Sequence, residues 1–263
     1  MKTPITIILV IACILEFNAQ HLTHDIGVLS GSTRLQSDYG QRGNFFSEWK
    51  NNGQTIAIAH YLSFYNNTIR WDPHDVIHNH LMVKTEFMYL TNANFKHHGK
   101  WAERKSSGGE QLRAMTGSVN MLDIGVNLEV FLHPLEEFVH PYSDIRFNPF
   151  LTFGVKYSFF ENTLNSELGN WEDDLSILPD KYRPEDALDI GPGEAVSISF
   201  GIGTRYKLAP KLDFVTEFTY QYFFSDSIDG LTASVPENKN NEWLLNFQFG
   251  LVYHLNYNTP LFN

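Results

Sequence analysis

The sequence predicts an all-β chain closed into an antiparallel transmembrane β-barrel of about eight strands, with long extracellular loops. Three observations carry that expectation. The stretch Glu242 to Asn256 reads EWLLNFQFGLVYHLN. Taken every second residue, Trp243, Leu245, Phe247, Phe249, Leu251, Tyr253 and Leu255 form a wholly apolar face. Leu244, Asn246, Gln248, Gly250, Val252, His254 and Asn256 form a mostly small or polar one. Period two means an extended strand with two unlike sides, and about ten such residues cross a bilayer. Second, aromatics make up 14% of the chain while the mean hydropathy stays polar at -0.25. That combination is expected where lipid-facing and lumen-facing residues alternate. Third, no apolar run reaches the ~18 residues of a membrane-spanning helix.

At 263 residues the chain suits one domain. A basic start, an apolar run from Ile5 to Leu15 and the small Ala19 mark residues 1–20 as a secretory signal. Cleavage is placed near Ala19 or Gln20, although Phe17 is a poor match to the small-x-small rule. A rival reading takes Val10-Ile11-Ala12-Cys13 as a lipobox, but Ile14 and Leu15 prolong the apolar core after it. Cys13 is the sole cysteine, so the mature barrel, 21–263, holds no disulfide. The net charge of -11 argues against nucleic acid as a partner.

The elements follow in order. Strand one is Thr23 to Leu35, with Ile26 and Val28 opposite Asp25, Gly27 and Gly31. Strand two, Gln54 to Tyr65, alternates less clearly. Strand three is His80 to Thr91, with Val83, Thr85, Phe87 and Tyr89 opposite Lys84, Glu86 and Met88. Strand four is Val119 to His133, with Leu122, Ile124, Val126, Leu128, Val130 and Leu132 on one side. Strand five is Phe147 to Phe160, strand six Ala195 to Leu208, strand seven Leu212 to Ser225, and the opening stretch is strand eight. Ala209-Pro210-Lys211 makes a tight hairpin turn between strands six and seven. Connections after odd strands, Gln36–Gly53, Asn92–Ser118, Glu161–Glu194 and Asp226–Asn241, are the long ones, and those after even strands are shorter. Long outside and short inside is the outer-membrane rule. A soluble lipocalin-like barrel is the structural rival. Its outer face would be Lys- and Glu-rich, whereas the polar face here carries Gly, Ser, Asn and both signs of charge.

That polar face places Asp25, Lys84, Glu86, Asp123, Glu129, Lys156, Arg205, Lys207, Asp213 and Glu217 in the lumen. A closed eight-stranded barrel has little room for water, so these charges are expected to pair. A narrow ion path is the alternative. His78 and His80 would project to one side of an extended chain and could share a metal; a polar turn is the plainer reading, and His97-His98 has the same one. The second long loop is basic (Lys96, Lys100, Arg104, Lys105, Arg113) and the third acidic (Glu172, Asp173, Asp174, Asp180, Glu185 and others). They are read as solvated loops, or as partners across the barrel mouth or binders of divalent ions. Trp101 and Trp171 are expected to anchor packing between them. His60 and Ser63 lie near the level where a lipid-acting enzyme would hold its residues but make no recognisable motif. No catalytic, cofactor or metal residue is assigned.

His24-Asp25-Ile26-Gly27-Val28-Leu29-Ser30-Gly31 through Ser37-Asp38-Tyr39-Gly40 resembles the start of the PorG-like outer-membrane barrels of Bacteroidota. So does Gly201-Ile202-Gly203-Thr204-Arg205-Tyr206-Lys207-Leu208, followed by Glu217 and Phe224-Ser225-Asp226-Ser227-Ile228-Asp229. Phe147-Asn148-Pro149-Phe150 with Gly154 matches the family's fifth strand. The resemblance implies a non-enzymatic barrel in the cell outer membrane and a part in type IX secretion, touching the periplasmic ring made with a lipoprotein. It implies no catalytic residues. The acidic third loop and the tail Tyr257 to Asn263 depart from the pattern. The expected partners are outer-membrane lipid and, through turns 66–78 and 134–146, periplasmic secretion proteins. A narrow channel and, less favoured, a lipid-acting enzyme are the alternatives.

Overall fold

The computed structural model describes residues 22–39, 52–64, 79–140, 142–184, 186–235 and 241–255. The signal segment, the turn Asn66–His78, most of the loop Gln36–Gly53 and the tail Tyr257–Asn263 lie outside these residues. Eight strands form one closed antiparallel barrel in chain order: β1 (Thr23–Gln36), β2 (Asn52–Ser63), β3 (Leu81–Lys96), β4 (Met115–Phe131), β5 (Phe147–Ser166), β6 (Pro192–Ala209), β7 (Leu212–Phe223) and β8 (Trp243–His254). β8 pairs with β7 and closes on β1, from Asp25↔His254 to Gln36↔Trp243. No sheet edge is left for lipid to meet.

The apolar face of every strand points out. Phe153, Val155, Ile198, Phe200, Phe247, Phe249 and Leu251 are exposed on the outer wall. On β5 the outward run from Phe147 to Phe159 covers about 30 Å of the barrel axis, at ~3.3 Å per residue and ~40° tilt. That matches a hydrocarbon layer. Tyr206 and Tyr253 sit towards the end holding the β6–β7 turn, and Tyr89, Tyr157 and Phe224 towards the other, as aromatic girdles. β2 also alternates cleanly, with Ile56, Ile58 and His60 outward and Ala57, Ala59 and Tyr61 buried. Its pattern is hard to see in the sequence because its inward face is apolar too.

Three strands run further than expected. β3 continues to Lys96, β4 begins at Met115 and β5 continues to Ser166. Beyond the belt the alternation reverses its chemistry, keeping its phase on β4 and β5 and shifting by one residue on β3 at a bulge between Leu90 and Ala93. Asn120, Thr163 and Asn165 face out, while Val119, Met121, Leu164 and Phe95 face in. These extensions stand in water, so polar residues take the outside and apolar ones build a core. Polar Asn and Thr in the outward register read as loop. The basic loop thereby shrinks to 97–114 and contains a helix, α1 (Ser107–Ala114). The contrast in loop length holds for β3–β4, β5–β6 and the two-residue β6–β7 turn. It fails for β1–β2, whose connection 37–51 is no longer than the 64–80 connection.

The extracellular end is capped. Tyr39, Phe95, Leu178, Tyr182, Ala187, Ile228, Leu231 and Leu244 form one apolar cluster, with Trp171 packed against it. Asn162 ties two loops together: its Nδ2 donates to Asp189 O (3.2 Å), Ser227 O (2.9 Å) and Ile228 O (3.3 Å), and its Oδ1 accepts from Gly191 N (2.9 Å). At the periplasmic end a short helix, α2 (Leu135–Val139), buries Leu135 and Phe138, and Leu135 joins a second cluster with Phe131, Phe150, Tyr61 and Val252.

The closing seam depends on two glycines. A Cβ on Gly31 would lie 2.1 Å from Phe247 O, and one on Gly250 2.2 Å from Val28 O. The obstacle in both cases is backbone, which cannot swing aside. Gly31→Val is therefore expected to lower stability in detergent by ~1–3 kcal/mol. The check is the temperature at which the folded band is lost on a gel. Gly108→Ala, in open space, should leave that temperature unchanged.

Candidate functional site

Nine of the ten charged residues assigned to the lumen are buried there. Eight of them, all but Asp123, form a chain of ion pairs. Lys84 Nζ, fully enclosed, lies 2.6 Å from Glu217 Oε2, 3.2 Å from Glu86 Oε2 and 3.8 Å from Glu129 Oε1. Glu86 also stands 4.0 Å from Lys156. Glu129 links onward to Arg205 at 3.7 Å, and Arg205 reaches Asp25 at 3.2 Å and Asp213 at 4.0 Å. The Arg205 guanidinium also sits 4.3 Å from the centre of the Tyr61 ring. Asp123 accepts from Gln221 Nε2 at 3.0 Å. Cations on β3, β5 and β6 thus meet carboxylates on β1, β3, β4 and β7, so the network ties together walls far apart in sequence.

Lys207 is the exception. It lies at the periplasmic rim, where its Nζ donates to His140 O (2.9 Å) and stands 5.2 Å from the Phe138 ring. It clamps α2 to the barrel instead of joining the lumen. His254 is the member that sequence reasoning left out of the charged set. Its Nδ1 lies 2.8 Å from Asp25 and its Nε2 3.0 Å from Asp213. An imidazolium supplies one N–H to each. The signal was its even-numbered place on the polar face of β8, beside Asn246 and Gln248.

The remaining candidates separate. His60 faces outward and lies 3.0 Å from His24, while Ser63 is buried on the inner wall. Strand alternation puts them on opposite faces, so they do not form a nucleophile and base. His80 Nδ1 is 2.9 Å from Phe131 O; its suggested metal partner His78 lies outside the described residues. His97 is buried against Tyr39 and Tyr182. Burial, aided by the Lys181 charge, holds its imidazole down to about 3. Among the described residues no group of three or more His, Cys, Asp or Glu converges as a metal site. The basic and acidic loops meet through a hydrogen bond from Gln111 Nε2 to Ser176 O (2.9 Å). Arg113 and Arg183 turn to backbone carbonyls of their own loops. Trp171 does anchor packing, donating to Leu164 O (2.9 Å), whereas Trp101 is 52% exposed.

Closed pairing, an outward apolar belt and a charged, filled interior decide the class. The protein is an outer-membrane β-barrel. No protein-family model matches the chain, and no curated protein matches it. Similar solved structures include Ail, the attachment invasion locus protein of Yersinia pestis: 12% identity, 89% of this chain and 97% of that one covered, TM-score 0.39. Neisserial surface protein A gives 10% identity, 88% and 96% coverage and a TM-score of 0.41. A major outer membrane protein from Thermus thermophilus gives 14% identity, 88% and 99% coverage and a TM-score of 0.46. At such identities the likeness concerns architecture alone.

A second buried acid group lies under the extracellular cap. Asp229 accepts from Asp38 N (2.6 Å) and Leu231 N (2.8 Å). Burial, with Asp226 adding to it, pushes its carboxyl up to about 6. Burial and the neighbouring Asp229 push Glu242 up to about 10. With Glu242 protonated, the two acids can sit together without like-charge repulsion.

Two outcomes follow from this geometry. Lys84→Met leaves Glu217, Glu86 and Glu129 without their shared cation and is expected to cost about 3–5 kcal/mol in urea unfolding from micelles. Replacing Lys84 and Glu217 together by Met and Leu should recover part of that loss. For the cap, the native state binds a proton that the unfolded chain releases above the ordinary carboxylate value of 4.5. Stability is thus full below that value and falls as pH rises towards 10. Hydrogen exchange of residues 226–235 should quicken across this window, and Glu242→Gln should flatten the dependence.

Proposed function

We propose that this barrel is a non-enzymatic anchor and interaction platform of the outer membrane whose working surfaces are its two ends. The observation that carries this reading is the filled interior. Lys84, Arg205 and their carboxylates occupy the lumen, α2 closes the periplasmic mouth, and the loop cluster covers the other. A solute path would have to break buried ion pairs, which argues against the narrow-channel alternative. The opposite facing of His60 and Ser63 argues against the lipid-acting alternative at that site.

On the periplasmic side the turn 134–146 offers a surface of defined chemistry. α2 fixes it by burying Leu135 and Phe138. Outside that anchor, Glu136, Glu137, His140, Tyr142 and Asp144 border a cleft of about 430 Å³. Tyr142 is 73% exposed, and tyrosine is among the residues enriched at binding hot spots. The resemblance to PorG-like barrels makes a periplasmic component of a type IX secretion system the proposed partner. The companion turn 66–78 is the second proposed contact.

A photo-reactive amino acid at Tyr142 is expected to cross-link a periplasmic protein of the secretion apparatus in intact cells, while one at the lipid-facing Phe153 captures lipid only. Cross-links confined to lipid at both positions would sink the proposal. In planar bilayers the purified barrel is expected to show no steady conductance; a steady open level would favour the channel instead.

A further inference from the structure

The β3–β4 loop carries a cationic and aromatic platform that neither the barrel nor the periplasmic reading uses. Lys100, Arg104, Lys105 and Arg113 stand there against Glu103 and Glu110, with Lys96 at the end of β3, in a chain of net charge -11. Arg113 sets the shape of the loop, donating to Ala102 O and to Arg104 O. Glu103 N bonds Gly99 O (3.0 Å) and Arg104 N bonds Trp101 O (3.4 Å), closing a tight turn. That turn holds Trp101 in the open. The Arg104 guanidinium lies 3.8 Å from the ring centre and the Lys100 ammonium 5.6 Å. Lys105 is exposed next to them. The first turn of α1 follows at once, so the positive end of its dipole adds to the same potential.

We propose that Trp101, Arg104 and Lys105 bind an anionic saccharide, a sugar chain bearing phosphate or carboxylate groups. The platform has both parts such a ligand requires. A flat indole packs on the C–H face of a sugar ring, and the guanidinium and ammonium pair with the anionic substituents. Height favours sugar over a lipid headgroup. From Tyr89, the last large apolar residue on the outer face of β3, the strand climbs about 20 Å to the loop at ~3.3 Å per residue and ~40° tilt. Headgroups reach only ~5–8 Å beyond the hydrocarbon. The acidic loop limits the footprint. Its exposed Asp173 and Asp174, in the loop that Gln111 meets at Ser176, repel a polyanion, while Asp180 is paired with Arg183. The ligand is thereby confined to the Trp101 side.

Calorimetric titration of the full chain in micelles tests this. The probes are a phosphorylated core oligosaccharide released from outer-leaflet glycolipid, the same sugar after dephosphorylation, inorganic phosphate, and the intact glycolipid. The released phosphorylated sugar and the intact glycolipid are expected to bind alike. The dephosphorylated sugar and inorganic phosphate should each bind at least ~10-fold more weakly, since charge and ring contact act together. Trp101→Ala and Lys105→Glu, each still giving the folded gel band, should lose at least ~10-fold, and Asp180→Asn none. Three results overturn the proposal: inorganic phosphate binding as well as the sugar, meaning an adventitious ion only; binding of the intact glycolipid alone, meaning a headgroup; or undiminished binding by Trp101→Ala.

Discussion

The pairing of β1 with β8 is the constraint on which the rest depends. In hydrocarbon no water can satisfy a backbone N–H or C=O, so the sheet has to close. With eight strands, closure leaves an interior only wide enough for side chains. Every charge on an inward position must then find its partner among the few positions opposite. Lys84 meets three carboxylates from β3, β4 and β7 because the small radius brings those walls together. Gly31 and Gly250 serve the same closure from the other side, since a side chain there would collide with the neighbouring backbone.

A single strand serves two solvents in turn. β4 presents Leu122 to Leu128 to lipid and, just before them in the chain, Asn120 to water, while its inner side changes from Asp123 and Glu129 to Val119 and Met121. The backbone register of β4 against β5 never slips. Only the medium outside changes, and with it the side on which apolar groups are hidden. This reversal turns the extracellular loops from loose connections into a capped end with its own core. It leaves the interior as a seam of ion pairs between two apolar plugs.

The inward and outward faces of β4, β5, β6 and β8 are legible in the sequence because lipid tolerates almost nothing polar, and the alternation there is sharp. β2 is less so, because Ala57, Ala59 and Tyr61 make its inner face as apolar as its outer one. The extensions of β3, β4 and β5 escape a sequence reading for the opposite reason: Thr163 and Asn165 in outward positions look like loop unless the medium is known to be water. Parity alone puts Lys207 in the lumen. Parity gives the side of a strand, not the distance from its end, and at the rim Lys207 reaches α2 instead.

The membrane barrel, its approximate strand count and nine of the ten charges assigned to the lumen are legible in the chain alone. Those follow from period-two alternation against a solvent that admits no exceptions. The sequence by itself did not determine which charges pair, that His254 bridges Asp25 and Asp213, that Asn162 locks two loops, or where on the wall His60 finds His24. These depend on register and curvature across strands distant in the chain. The closing strand shows both sides of this. Its apolar face could be read from alternate letters, whereas the partner of its His254 existed only once β8 lay between β1 and β7.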